Sequence, residues 1–155
     1  MRAYRTARQS VSTKVLVDMF AEHRSDHLAS ARKAVHEQLG ECDPRRGIAG
    51  LPDDIRPGIR DLAWFYDNVG VLVHHGVVDI GPVSGYLGGA AQYCWERLEA
   101  FIEAERANRA TSPDPERWQI YFELLVVEVR RTPPARARKS VRRIRLRKLL
   151  WGVDA

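Results

Sequence analysis

His23 and His27 stand four residues apart, a spacing that lets two imidazoles on one helix share a metal. A helix start at Ser25 or Asp26 would separate them, and no His-Glu-x-x-His motif is present. His74 and His75 are adjacent, so on a helix their rings diverge by about 100° and do not converge on one ion. Cations at that place suit a helix C-terminus instead. Glu96, Glu99, Glu103 and Arg106 follow one helical face, and paired carboxylates can serve acid–base or di-iron chemistry. A di-iron bundle also needs Glu-x-x-His pairs, which the chain lacks. The row therefore reads as a solvated face closed by Glu103–Arg106 and Glu105–Arg109 pairs. Gly85, Gly88 and Gly89 have neither the spacing nor the following lysine of a phosphate loop, and read as a place of close helix approach. Ser84 lies in Gly-Pro-Val-Ser-Gly, not in the Gly-x-Ser-x-Gly of a nucleophile elbow. No catalytic, cofactor-binding or metal-ligating residue is assigned from these patterns.

The feature with a physical case for a partner is a run of cations. Residues 130–148 hold ten Lys or Arg and no acid, and the first fourteen residues add Arg2, Arg5, Arg8 and Lys14. Between them, 15–129 carries 11 basic and 19 acidic residues, a net of −8 that the overall +5 conceals. An acidic body with basic ends is not a uniformly basic nucleic-acid binder. Any anion binding belongs to the tail, through Arg138, Lys139, Arg142, Arg143, Arg145, Arg147 and Lys148 with Trp151 beside them. The acidic partner could be a nucleic acid or a protein, and the same cations could dock on the chain's own acidic body. Leu149, Leu150 and Trp151 also permit adsorption to an anionic membrane surface.

The elements that must carry these residues read as helices almost throughout. Val11, Val15, Met19 and Phe20 mark a first helix over 9–23. Leu28, Ala31, Val35 and Leu39 mark a second over 26–39, which Gly40 ends. Residues 40–52 form a loop by composition. Ile55, Ile59, Leu62, Tyr66, Val69 and Val73, widened by Phe65 and Leu72, make the third helix the clearest, with Asp53 as its cap and Gly76 at its end. A fourth helix, capped by Asp79, runs from there to about Arg109 through Val83, Leu87, Ala90, Cys94, Leu98 and Phe101, with Glu105 already past the core. Its first residues, Ile80 to Gly85, offer no side chain for reading bases, so the hairpin of helices three and four is not a DNA-reading helix-turn-helix. Ser112 or Asp114 starts a fifth helix with Trp118, Tyr121, Phe122, Leu125 and Val129 inward, and Pro133-Pro134 ends it. As a helix, 135–150 gathers no apolar side, which fits a segment that orders against a partner.

At 155 residues the chain is the size of one domain and long enough for a real core. Two cysteines, Cys42 and Cys94, exclude a disulfide scaffold and fit a reducing compartment. No run approaches the 18 apolar residues of a membrane span, and a cytoplasmic, at most membrane-peripheral, protein is expected.

The run Trp64-Phe65-Tyr66-Asp67-Asn68-Val69-Gly70-Val71-Leu72-Val73-His74-His75-Gly76-Val77-Val78-Asp79 resembles a bacterial family, the domain of unknown function 4760. Gly85-Tyr86-Leu87-Gly88-Gly89, Trp95-Glu96-Arg97-Leu98 and Phe122-Glu123-Leu124-Leu125 extend the likeness, which is strongest over 62–106. Two departures stand out. Many members carry an N-terminal membrane helix that this chain lacks, and two usually basic positions are His74 and His75. The resemblance implies a helical fold and supplies no mechanism. The expectation is an all-α domain of about five helices in a small bundle over 1–132, with a central hairpin and a basic extension over 133–155. Its function reads as that of a non-enzymatic interaction module, with no cofactor.

Overall fold

The computed structural model describes residues 2–134 together with Lys139 and Arg142, and side chains from Ser12 onward. Six helices occur among the described residues, and no strand: α1 (Arg2–His23), α2 (Asp26–Glu37), α3 (Arg56–His74), α4 (Ile80–Tyr86), α5 (Gly88–Asn108) and α6 (Ile120–Arg131). The all-α expectation holds, but six helices replace five. The long fourth helix is broken at Leu87 into α4 and α5. Leu87 keeps helical dihedrals and buries its side chain, with Gly85, Gly88 and Gly89 around it. Glycine weakens a helix interior by about 1 kcal/mol relative to alanine, so three of them within five residues mark where it can bend.

Three helix boundaries follow the predicted chemistry closely. Ser25 caps α2 by accepting a hydrogen bond from the Leu28 amide at 3.3 Å. At the end of α3, Gly76 adopts φ +66°, with its amide bonded to the Val73 carbonyl and that of Val77 bonded to Leu72. That pair of bonds is the Schellman closure that a left-handed glycine permits. Asp79 then caps α4 through the Gly81 amide at 2.7 Å.

Two other boundaries differ. Asp53 does not cap α3, which begins at Arg56 behind Ile55; its carboxylate pairs with Arg56 instead. The last helix starts at Ile120, not near Ser112 or Asp114. A 3₁₀ turn (Pro115–Arg117) and the left-handed residue Gln119, at φ +59°, precede it. Trp118 therefore lies outside the helix.

The centre of the fold is α3 against α6, flanked by α2 and α5. Gly70 makes the first contact possible, because a Cβ there would overlap the Tyr121 carbonyl. Gly88 does the same for α5 and α6: its Cβ would lie 2.8 Å from Val129 Cγ1. Gly85 and Gly89 face open space, so close packing explains only one of those three glycines. The core stacks Phe122 on Tyr66, with ring centroids 4.9 Å apart, and sets Trp95 edge-on to Phe122 at 5.1 Å. Ile59, Leu62, Leu98, Ile102 and Leu125 close around these rings, all buried. Full burial of such side chains contributes roughly 1.5–3 kcal/mol each.

The 40–52 segment is more structured than its composition suggests. It folds as successive 3₁₀ turns that bury Leu39, Ile48 and Leu51. Glu105 holds it, accepting a bond from the Ala49 amide at 3.2 Å while its other oxygen pairs with Arg109. Gly47, at φ +65°, is where the loop passes Glu105, and a side chain there would collide with the carboxylate. Glu105 is thus buried, not past the core as its place at the end of the apolar stripe suggests.

Candidate functional site

The tail residues singled out for partner binding fall mostly outside the described residues. Arg138, Arg143, Arg145, Arg147, Lys148 and Trp151 lie there, whereas Lys139 and Arg142 are described and exposed. At the root of the basic run, Arg130 stands 3.6 Å from Glu96, and Arg131 pairs with Glu128 at 3.1 Å. Both pairs are solvent-exposed and contribute little to stability.

His23 and His27 separate, whereas His74 and His75 stay together. His23 ends α1 and turns inward, where its Nε2 lies 3.1 Å from the Tyr66 hydroxyl. His27, on α2, instead meets Asp61 of α3 at 3.0 Å on the surface. His74 and His75 are exposed at the end of α3, edge to face with each other and close to the Tyr121 ring. Among the described residues no group of three or more His, Cys, Asp or Glu is placed to hold a metal ion.

The glutamate row is only partly a solvated face. Glu96, Glu99 and Glu103 are exposed, but Arg106 is buried at 4% exposure. Its Nη1 donates to Glu103 at 2.7 Å and to Glu123 at 3.0 Å, and its Nε donates to the Trp118 carbonyl at 2.9 Å. Arg106 thereby ties α5 to the start of α6. Removing one partner from such a buried pair is costly because the remaining charge cannot reach water.

The least anticipated residue is Asp67. It lies on the buried side of α3, and its Oδ1 accepts the Tyr121 and Phe122 amides, each at 3.0 Å. Gln119, in the capping position of α6, is left-handed and makes no side-chain cap. Asp67 therefore caps α6 from a different helix, satisfying two of the amides that a helix start leaves unpaired. Burial pushes its carboxyl above the ordinary value, opposed by the Phe122 and Tyr121 amides and by nearby Arg106. A sequence signal for this role existed: an aspartate between Tyr66 and Val69 on an apolar stripe needs a buried partner. Which amides would answer it was not legible.

A second polar chain crosses the core. Cys94 Sγ lies 4.0 Å from the Tyr66 hydroxyl, which in turn meets His23. Burial, helped by Arg32, drives His23 down to about 4, whereas burial raises the Tyr66 phenol and lifts the Cys94 thiol to about 11. All three groups are thus held neutral near neutral pH, the form in which buried groups satisfy one another.

Two clefts flank α6. The larger, about 630 Å³, opens between the end of α3, the start of α4 and α6, with Val77, Asp79, Leu124 and Glu128 on its walls. A smaller one, about 430 Å³, lies between α3 and the 109–121 segment. Trp64, Trp118 and Tyr121 border it, and so does Asp67. Five residues of the Trp64–Asp79 run now have a structural reason. Asp67 caps, Gly70 permits approach, Gly76 closes α3, Val78 is buried and Asp79 starts α4.

No helix among the described residues is long and apolar enough to cross a membrane. Residues 1–128 match the family model described as Domain of unknown function (DUF4760). Neither a curated protein nor a solved structure matches the chain.

Proposed function

Since the chain belongs to the DUF4760 family, whose description assigns no activity, we propose that it is a non-enzymatic helical interaction module whose Arg-rich C-terminal segment binds an acidic partner, nucleic acid first. The observation that carries this reading is the segregation of charge: ten cations and no acid over 130–148, beside a body of net −8 over 15–129. A polyanion gains from such a segment by releasing its own counterions, whereas the net −8 of the body over 15–129 repels it. Lys139, Arg142, Arg143, Arg145 and Arg147 are the proposed contacts, with Arg138 and Lys148 flanking them. The helical domain acts as a scaffold that presents the segment. The competing membrane reading draws on Leu149, Leu150 and Trp151, which would insert beside the cations.

The test measures binding of the full chain to RNA, duplex DNA and anionic vesicles over a salt series, against a variant with Arg142, Arg143, Arg145 and Arg147 replaced by Ala. Nucleic-acid affinity should fall steeply with salt, with a log–log slope of about −0.7 to −0.9 per phosphate neutralised, and the fourfold variant should flatten that slope. Vesicle binding that survives high salt and disappears in Trp151→Ala would replace the nucleic-acid reading with the membrane one. Indifference of the fourfold variant toward all three probes would remove both.

A further inference from the structure

The smaller cleft has an unusual composition for a surface groove. One wall is Trp64 of α3, 44% exposed, and the opposite wall carries Trp118 and Tyr121. Asp67 borders it as well. Its Oδ1 is taken by the two α6 amides, but its Oδ2 accepts no hydrogen bond among the described residues. Asp67 is 7% exposed as a residue, but Oδ2 is not sealed from solvent and is free to accept from a group in the cleft. The flanking aromatic faces carry negative quadrupoles, which favour a cation over an anion.

The same cleft already accommodates one planar cation. The Arg109 guanidinium sits 5.0 Å from the Trp118 ring centroid while donating to Glu105. Arg109 is thereby committed on that wall, whereas no described cation is stacked on Trp64. Quaternary ammonium groups can stack on aromatic rings but cannot donate to Asp67. A guanidinium can do both at once, because it is flat and carries N–H donors in its plane.

We propose that the cleft between α3 and the 109–121 segment binds the guanidinium of an arginine side chain presented by a peptide. Trp64 provides the stacking face and Asp67 Oδ2 the acceptor. Arg117 and Asp114 also border the cleft, both exposed, so together they add no net charge to it. The site is separate from the basic segment of the proposed function and does not depend on it.

The probe is N-acetyl-arginine amide, titrated into the ¹⁵N-labelled full chain while the indole N–H signals are followed. Trp64→Phe and Trp118→Phe assign those signals. The Trp64 signal should move saturably with a Kd of about 1–10 mM, the range expected of so small a ligand, while that of buried Trp95 stays in place. N-acetyl-lysine amide should bind more weakly. Asp67→Asn should lower the affinity about tenfold, the loss of one charge-assisted hydrogen bond, with helical circular dichroism preserved. Trp64→Ala, at an exposed position that leaves the core untouched, should abolish binding as followed on the Trp118 indole signal, even if Asp67→Asn proves unstable. An immobile Trp64 signal up to 50 mM, or binding that Trp64→Ala leaves unchanged, overturns the proposal (the concentration being about five times the weakest Kd expected).

Discussion

Replacing Asp67 separates two things that its carboxylate supplies, an acceptor and a charge. Asp67→Ala removes the acceptor that holds the Tyr121 and Phe122 amides at 3.0 Å. Nothing local replaces it, since Gln119 caps nothing and the start of α6 is packed against α3. A lost cap costs about 1 kcal/mol, and each buried donor left unpaired costs about 1–3 kcal/mol. The two descriptions overlap, so a total of about 2–4 kcal/mol is expected, a large share of the roughly 5–15 kcal/mol that stabilises a domain. Asp67→Asn keeps an oxygen in the same place and removes only the charge. Burial raises the Asp67 carboxyl above its ordinary value, so ionisation is less favourable in the folded protein than in the unfolded chain. Its contribution is fully present below the unfolded value of 3.8 and is lost as pH rises through the folded one. Asp67→Asn should therefore stay within about 1 kcal/mol of the parent at neutral pH and remove that part of the pH dependence. Urea unfolding followed by circular dichroism at several pH values measures both quantities. Equal destabilisation by Asn and Ala would show that charge, not acceptance, matters. An Ala variant within about 0.5 kcal/mol of the parent would end the idea that α6 is capped from α3.

The glycines give a contrast within one fold. Gly70→Ala should cost more than about 2 kcal/mol or prevent folding, because its Cβ meets the Tyr121 carbonyl, whereas Gly89→Ala meets open space and should be neutral or stabilise by up to about 1 kcal/mol. Thermal unfolding of the two variants decides it, and a tolerated Gly70→Ala would contradict the α3–α6 contact. His23, depressed to about 4 from 6.5, should make stability fall as pH drops between those values. The loss can reach about 3 kcal/mol at the acid end, the unfolded chain taking the proton first. In His23→Gln that slope should vanish between pH 4 and 6.5, and an unchanged slope would mean that other groups carry it.

The helical class and the inward faces were readable from spacing alone. The stripe Ile59, Leu62, Tyr66 and Val69 is fully buried, and so are Leu28, Ala31 and Val35 of α2. Local stops were readable for the same reason: Ser25, Gly76 and Asp79 act through bonds to residues within a few positions. The start of α6 was not. Proline and serine at 112–115 suggested a cap, but the chain uses a 3₁₀ turn and a left-handed Gln119, and takes its cap from Asp67, some 54 residues earlier. Glu105 and Arg106 misled in the same way. The Glu103–Arg106 and Glu105–Arg109 pairs form as their spacing indicated, but the face is only partly wet: the 40–52 segment and the start of α6 cover Glu105 and Arg106 and add further partners.

By itself the sequence determined what is governed by neighbours along the chain: helical periodicity, the stops at Ser25, Gly76 and Asp79, the division between an acidic body and a basic segment, and the family. The tertiary structure decided which polar side chains are buried and what satisfies them. It turned Asp67 into a cap for a distant helix, made Gly70 indispensable, broke the fourth helix at Leu87 and set Trp64 across a cleft from Trp118. A buried hydrogen bond depends on which two surfaces meet, and that depends on the packing of whole helices rather than on the residues beside it.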